Sequence, residues 1–258
     1  MTCQNGQIFR VLAFGPFESE HIHICWKPEE LNIPDRLLQE IEHFWATLKH
    51  RGHFNGRISR LDRWQIQNGS LVLHLSPSDY RTLLYSNQYT ERISNKWGER
   101  FLSRALGISA VVVSTEQQIL LMKRSASMGE FPNRYDVFGG HIDVPTDNSA
   151  PDVFHAMQQE LHEELALKST DYSLELLGLV ESSINKKPEL VFATPAKRSI
   201  PELLHQAQTA RDKNEYVQLF AVANREDALA QFLDKNSTSF TPSALASLCL
   251  YKDLFLKK

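Results

Sequence analysis

The chain has 258 residues, of which 42% are hydrophobic and 23% charged, and a formal net charge of −3. That is the composition of a globular, water-exposed protein with room for one large domain or two small ones. The mild acidity excludes bulk attraction to nucleic acid or to an anionic membrane, and no apolar run reaches the roughly 18 residues of a membrane span.

Three cysteines, Cys3, Cys25 and Cys249, are too few and too scattered for a disulfide framework, which points to a reducing compartment, the cytoplasm. The first residues lack a basic segment followed by an apolar core, so no secretory leader is expected. No internal repeat or low-complexity tract is present, and the composition carries no information on oligomeric state.

Residues 7–14 and 21–26 read as two short strands with Gly15-Pro16 as the turn between them. Pro34-Asp35 opens a helix with Leu37, Leu38, Ile41, Phe44, Trp45 and Leu48 at helical spacing, ended by Arg51-Gly52. Residues 57–67 and 70–75 form a hairpin through Asn68-Gly69, a strong two-residue turn signal. Pro77-Ser78-Asp79 caps a helix to about Ser86, and a polar stretch follows over 87–99. Trp26, Trp45 and Trp64 are expected to pack in the core.

In the second half, residues 107–114 and 118–123 read as a hairpin whose first strand is apolar on both faces. Asp136-Val137-Phe138 leads into Gly139-Gly140. A polar loop follows, with Ser149-Ala150-Pro151-Asp152 as a capping box. The helix beyond it buries Phe154, Met157, Leu161 and Leu165. Strands are predicted over 174–182, 189–194 and 216–223, and helices over 226–233 and 242–256. Mixed strands with helices on both sides predict an α/β/α sandwich preceded by a small α+β module, divided as 1–104 and 105–258.

The chemistry concentrates after the glycine pair. Glu160 and Glu164 are one helical turn apart, and Glu163 flanks them, with Lys168 the nearest cation in sequence. Like charges on one helical face are unfavourable, and a divalent cation with oxygen ligands relieves them.

The stretch Gln159-Glu160-Leu161-His162-Glu163-Glu164-Leu165-Ala166-Leu167 resembles the R-E-U-x-E-E-x-G-U half of the Nudix hydrolase signature, U being aliphatic. Gln159 stands for the motif's Arg and Ala166 for its Gly. The loop from Gly140 to Glu160 is longer than the motif's, and the motif's middle Glu has no counterpart. A long loop and a Gln at that position are also marks of the animal UDP-glucose/UDP-galactose diphosphatase branch. Similarity to that branch is strongest from Lys123-Arg124-Ser125 to Gly139-Gly140-His141. It recurs at Ser78-Asp79-Tyr80-Arg81, Trp97-Gly98 and Thr241-Pro242-Ser243-Ala244.

The resemblance implies the Nudix α/β/α sandwich with a mixed sheet. It also implies a Mg²⁺-dependent hydrolysis, with Mn²⁺ as a substitute, of a small nucleotide-sugar to UMP and sugar 1-phosphate. Glu160 and Glu164 would hold the metal. Phe54, Tyr80, Arg124, Gly129, Asp136, His141, Asp143 and Ser243 would contact substrate, Asp143 departing from the branch's Glu and Gly129 from its small side chain. Chemically, Arg124 suits a phosphate, and Tyr80 and Phe54 suit stacking on uracil. Glu163 and Glu215 are both candidate bases, and Ser243 can equally cap the last helix. Lys123, Lys186 and Lys187 read as solvated charges. Two other functions stay open: hydrolysis of another nucleoside diphosphate derivative such as ADP-ribose, and a non-hydrolytic nucleotide-sugar binding protein.

Overall fold

The computed structural model describes residues 8–48 and 54–257. The helix stop expected at 51–52, Cys3 and the first residue of the opening strand lie outside them. In chain order the elements begin β1 (Phe9–Phe17), β2 (Ile22–Trp26), α1 (Asp35–Leu48), β3 (Arg57–Gln67), β4 (Ser70–Asp79), α2 (Tyr80–Gln88) and α3 (Thr90–Lys96). Then come β5 (Gly107–Val113), β6 (Gln118–Arg124), β7 (Tyr135–Asp136), β8 (Phe138–His141), α4 (Val153–Leu165), β9 (Glu175–Ser182) and β10 (Pro188–Pro195). The chain closes with α5 (Ile200–Ala207), β11 (Tyr216–Ala223), α6 (Glu226–Asn236) and α7 (Pro242–Tyr251), which runs into a π turn at Lys252–Leu256.

The large sheet runs β1-β9-β10-β5-β6-β11, with β7 on β6 and β8 on β5. β10 and β5 are parallel and the other pairs antiparallel, so the sheet is mixed and does not close into a barrel. β5, apolar but for Ser109, is buried along its whole length. Ile108, Ala110 and Val112 point to one core with Met157, Leu161 and Leu165 of α4 and Leu203 of α5. Val111 and Val113 point to the other, with Leu229 and Leu233 of α6 and Leu245 and Leu248 of α7. Period-two alternation of an apolar strand between two helical layers is what an α/β/α arrangement needs.

A second sheet, β2-β4-β3, carries the expected hairpin, with Asn68 and Gly69 both at positive φ (51° and 80°). Its Leu61, Leu71, Leu73 and Leu75 enter the same core as α4. The first hundred residues are therefore shared between the sheets: β1 is an edge of the large one, and the rest builds the small one with α1 to α3 beside it.

Several local readings change. Gly15-Pro16 is not a turn but lies inside β1, where a Cβ on Gly15 would sit 2.8 Å from the carbonyls of Leu176 and Leu177. The polar stretch after Ser86 contains α3, whose Ile93 is buried with Leu37 and Ile41 of α1. α5, which the sequence-based expectations do not include, has a Ser199/Glu202 capping box and an early Pro201 as its start signal. Trp45 is buried, and Trp26 and Trp64 pack partly buried against the main core.

At α4 the cap is Asp152, whose carboxylate accepts from the amides of Phe154 and His155 at 2.9 and 3.1 Å; Ser149 and Pro151 lie outside the helix. The helix ends on Ala166 at φ 55°, ψ 24°, the left-handed position that a glycine normally fills. Ala166→Gly is expected to stabilise the protein by about 1 kcal/mol, read as a higher midpoint in denaturant unfolding with an unchanged slope.

Candidate active site

The start of β3, the first residue of α2, the β6 and β8 ends, α4, the loops before β7 and β11 and the β9–β10 turn surround a cavity of about 390 Å³. Phe54, Tyr80, Arg124, Gly129, Asp136, His141, Asp143, Glu160, Glu163, Glu215 and Ser243 all line it. Glu164 lies just behind, 2% exposed, its carboxylate accepting from the Gly139 amide at 2.7 Å.

The glycine pair explains how the carboxylates come so close. Gly139 sits at φ 146° on β8, and a Cβ there would fall 2.0 Å from the Ile108 carbonyl of β5. At Gly140 a Cβ would fall 2.4 Å from Glu160 Oε1. One glycine lets β8 lie on β5; the next leaves space for a carboxylate against bare backbone.

The acidic wall is electrostatically tense. Burial, then Glu163, Glu215 and Asp143, push the Glu160 carboxyl upward. Burial, then Glu160 and Glu215, push Glu164 well above the ordinary range. Glu215, in the turn before β11, is raised by burial and then Asp212, and Asp143 is raised by burial. Glu163 is raised by burial against the opposing Arg211, which forms its ion pair. The counter-charge on this face is thus Arg211, from the segment after α5, and not Lys168.

Among the described residues no three His, Cys, Asp or Glu side chains already form a group that holds a metal ion. The donors present still suit a hard cation. All are carboxylate oxygens, mutually repelling and partly desolvated. Mg²⁺ takes one or two carboxylates and completes its shell with water and substrate phosphate.

A braced cation adjoins the acidic group: the Ser125 amide, one residue past Arg124, donates to the Glu215 carbonyl at 2.7 Å. Arg124 Nη1 donates to Asp136 Oδ2 at 2.8 Å, and Arg124 Nε donates to the Glu130 carbonyl at 3.2 Å. Asp136 Oδ1 accepts from Thr241 Oγ1 at 2.8 Å and from the Val137 amide at 3.0 Å. With both oxygens engaged, Asp136 holds Arg124 and the start of α7. Thr241 is that helix's cap, accepting from the Ala244 amide at 3.1 Å, which leaves Ser243 to the cavity. Tyr80 opens α2 behind its cap Asp79, lies edge-on to His141 at 6.3 Å, and has its phenol pushed up to about 12 by burial. Phe54 stands at the mouth, 84% exposed.

Sequence reasoning missed Glu130, Asn185, Lys187, Glu189, Arg211 and Asp212, all of which line the cavity. Lys187 is not a solvated charge: its side chain is 14% exposed and lies between Glu130 and Glu189. Asn185-Lys186-Lys187 has the composition of a surface turn, and the turn between β9 and β10 folds over the cavity. Only the tertiary arrangement shows this.

No protein-family model matches the chain. It is 26% identical over 186 residues to Nudix hydrolase 9 of Arabidopsis thaliana, covering 59% of this chain and 58% of the relative. It is 29% identical over 129 residues to the m7GpppN-mRNA hydrolase NUDT17 of Xenopus laevis (50% of this chain, 41% of the relative). It is 26% identical over 129 residues to the uridine diphosphate glucose pyrophosphatase NUDT22 of Mus musculus (42% of each). The chain spans about half the length of the curated relatives it matches. Among the described residues no helix is long and apolar enough to cross a membrane. The chain is thus similar, at 26–29% identity over part of its length, to a curated Nudix hydrolase and to two further hydrolases of nucleotide compounds.

Proposed function

We propose that the chain is a Mg²⁺-dependent Nudix hydrolase of nucleoside diphosphate sugars that cleaves UDP-glucose or UDP-galactose to UMP and sugar 1-phosphate. The observation that carries this reading is one cavity that gathers carboxylates and an anchored guanidinium. Glu160, Glu163 and Glu215 line it together with Arg124, which Asp136 holds.

Glu160 and Glu164 would hold the cation, whose bound form supplies charge neutralisation and polarisation of a phosphoryl oxygen. Arg124 keeps guanidinium protons beyond those given to Asp136 and Glu130, and these would donate to a phosphate. Glu215 and Glu163 compete for the role of base. Glu163 is already held by Arg211, whereas burial raises Glu215 toward the range where a carboxylate accepts a proton from water more readily. Phe54 and Tyr80 would flank the uracil, a contact worth ~1–3 kcal/mol. Both come from the first 104 residues, so that segment takes part in substrate binding. Asp143, Gly129, His141 and Ser243 complete the enclosure.

The relatives' differing names favour a second reading, the same chemistry on another nucleoside diphosphate derivative. A panel of UDP-glucose, UDP-galactose, ADP-ribose, a capped-RNA analogue and nucleoside triphosphates, each with Mg²⁺ and followed by chromatography, decides between them. UMP with sugar 1-phosphate is the expected product. Intact UDP-sugars beside a cleaved alternative sink the first reading, and binding of UDP-glucose without turnover under any divalent cation supports a sensor.

A further inference from the structure

Lys187 stands on the wall of the cavity with its side chain only 14% exposed, and a lysine so far withdrawn from water calls for a reason. Its Nζ lies 3.5 Å from Glu189 Oε2 and 4.0 Å from Glu130 Oε2. Both are ion-pair separations, longer than a good hydrogen bond, so the ammonium protons can still be directed into the cavity. Glu189 and Glu130 are themselves 6% and 11% exposed. Glu189 Oε1 accepts from Ser109 Oγ, whereas its buried Oε2 has the Lys187 ion pair and no hydrogen-bond partner.

Glu130 is the centre of this wall. Its Oε1 accepts from Asn87 Nδ2 at 2.6 Å, and His141 Nε2 lies 3.3 Å from its Oε2. Asn185 Nδ2 donates to Asn87 Oδ1 at 2.9 Å, tying the β9–β10 turn to the end of α2. Burial acts to raise the Glu130 carboxyl, but Lys187 and His141 overcome it and hold it well below the ordinary carboxylate range, so it stays ionised.

Glu130 and Glu189 balance the Lys187 charge from within the protein, and Arg124, whose Nε donates to the Glu130 carbonyl at 3.2 Å, borders the same wall. The wall offers a strong donor beside strong acceptors, which is what a hydroxyl, both donor and acceptor, can use.

Resting on the reading of the cavity as a nucleotide-sugar site, we propose that Lys187, set by Glu130 and Glu189, is a specificity-determining contact for the sugar hydroxyls of the substrate. The sugar is then the portion of the substrate that faces the β9–β10 turn.

The test is steady-state kinetics with Mg²⁺ on wild type, Lys187→Met and the charge-balanced Lys187→Met/Glu189→Gln. The KM for UDP-glucose and the inhibition constant of UDP, which lacks the sugar, are both measured. Thermal unfolding reports the fold, and the double variant covers the case in which the single one fails to fold. Loss of a charged donor should weaken UDP-glucose by ~10-fold or more while leaving UDP unchanged. Equal weakening of both ligands, weakening of UDP alone, or no change in either overturns the assignment. A wild-type protein that does not turn over UDP-glucose at all fails the substrate reading instead, before any variant is compared, and the proposal falls with it.

Discussion

Glu164→Gln is expected to lower kcat for UDP-glucose by a hundred- to a thousandfold, roughly the loss seen when one preorganised electrostatic group is removed from a reacting centre. The protein should still fold. The carboxylate is 2% exposed and its recorded bond is acceptance from the Gly139 amide, a bond that the glutamine oxygen can also accept. In metal-free buffer the variant should be more stable than wild type, because it removes a buried charge that faces Glu160 and Glu215. The pH dependence has a definite sign. Burial raises the folded-state pKa of Glu164 above its unfolded value. The wild-type residue is therefore tolerated below the ordinary glutamate pKa and becomes costly as pH rises through the folded one. The variant's advantage in Tm should accordingly be small at acid pH and grow toward neutrality. Full activity in the variant, or a Tm advantage that shrinks as pH rises, contradicts the assignment.

The two glycines should separate fold from function. Gly139→Ala is expected to destabilise by about 3 kcal/mol or more, since it adds a positive-φ penalty to a backbone clash that only a shift of β8 off β5 can relieve. For a chain of this size that corresponds to a Tm loss of roughly 2–4 °C per kcal/mol. Gly140→Ala meets a side-chain carboxylate instead of backbone. Glu160 can move, so the fold should survive while activity falls by about two orders of magnitude, the sensitivity expected of a misplaced reacting group. Similar Tm losses in the two variants, or an active Gly140→Ala, would show that the glycine pair does not set the carboxylate geometry.

What could be read from the sequence was whatever depends on near neighbours. The apolar run of β5, the Asn68-Gly69 turn and the one-turn spacing of Glu160 and Glu164 are local patterns with fixed geometric consequences. Mixed strands between helices likewise implied the sandwich. The misreadings were of residues whose environment comes from distant segments. Lys187 has the look of a turn lysine until the β9–β10 turn is seen over the cavity. Arg211 has no periodic signal, yet it supplies the ion pair of Glu163. Gly15-Pro16 has turn chemistry, and β1 absorbs it at the edge of the sheet. Ala166 was visible as a departure from the motif; its left-handed backbone shows why glycine stands there in the signature.

The central claim is that the carboxylates gathered at the glycine pair form a divalent-cation site that works on a diphosphate. Calorimetric titration of Mn²⁺ into the protein with UDP present tests it most directly, on wild type and on Glu160→Gln/Glu164→Gln. Saturable binding in wild type, lost or weakened by at least about tenfold in the double variant, is the predicted result. Identical isotherms for the two proteins, or no binding by wild type with UDP bound, would contradict it.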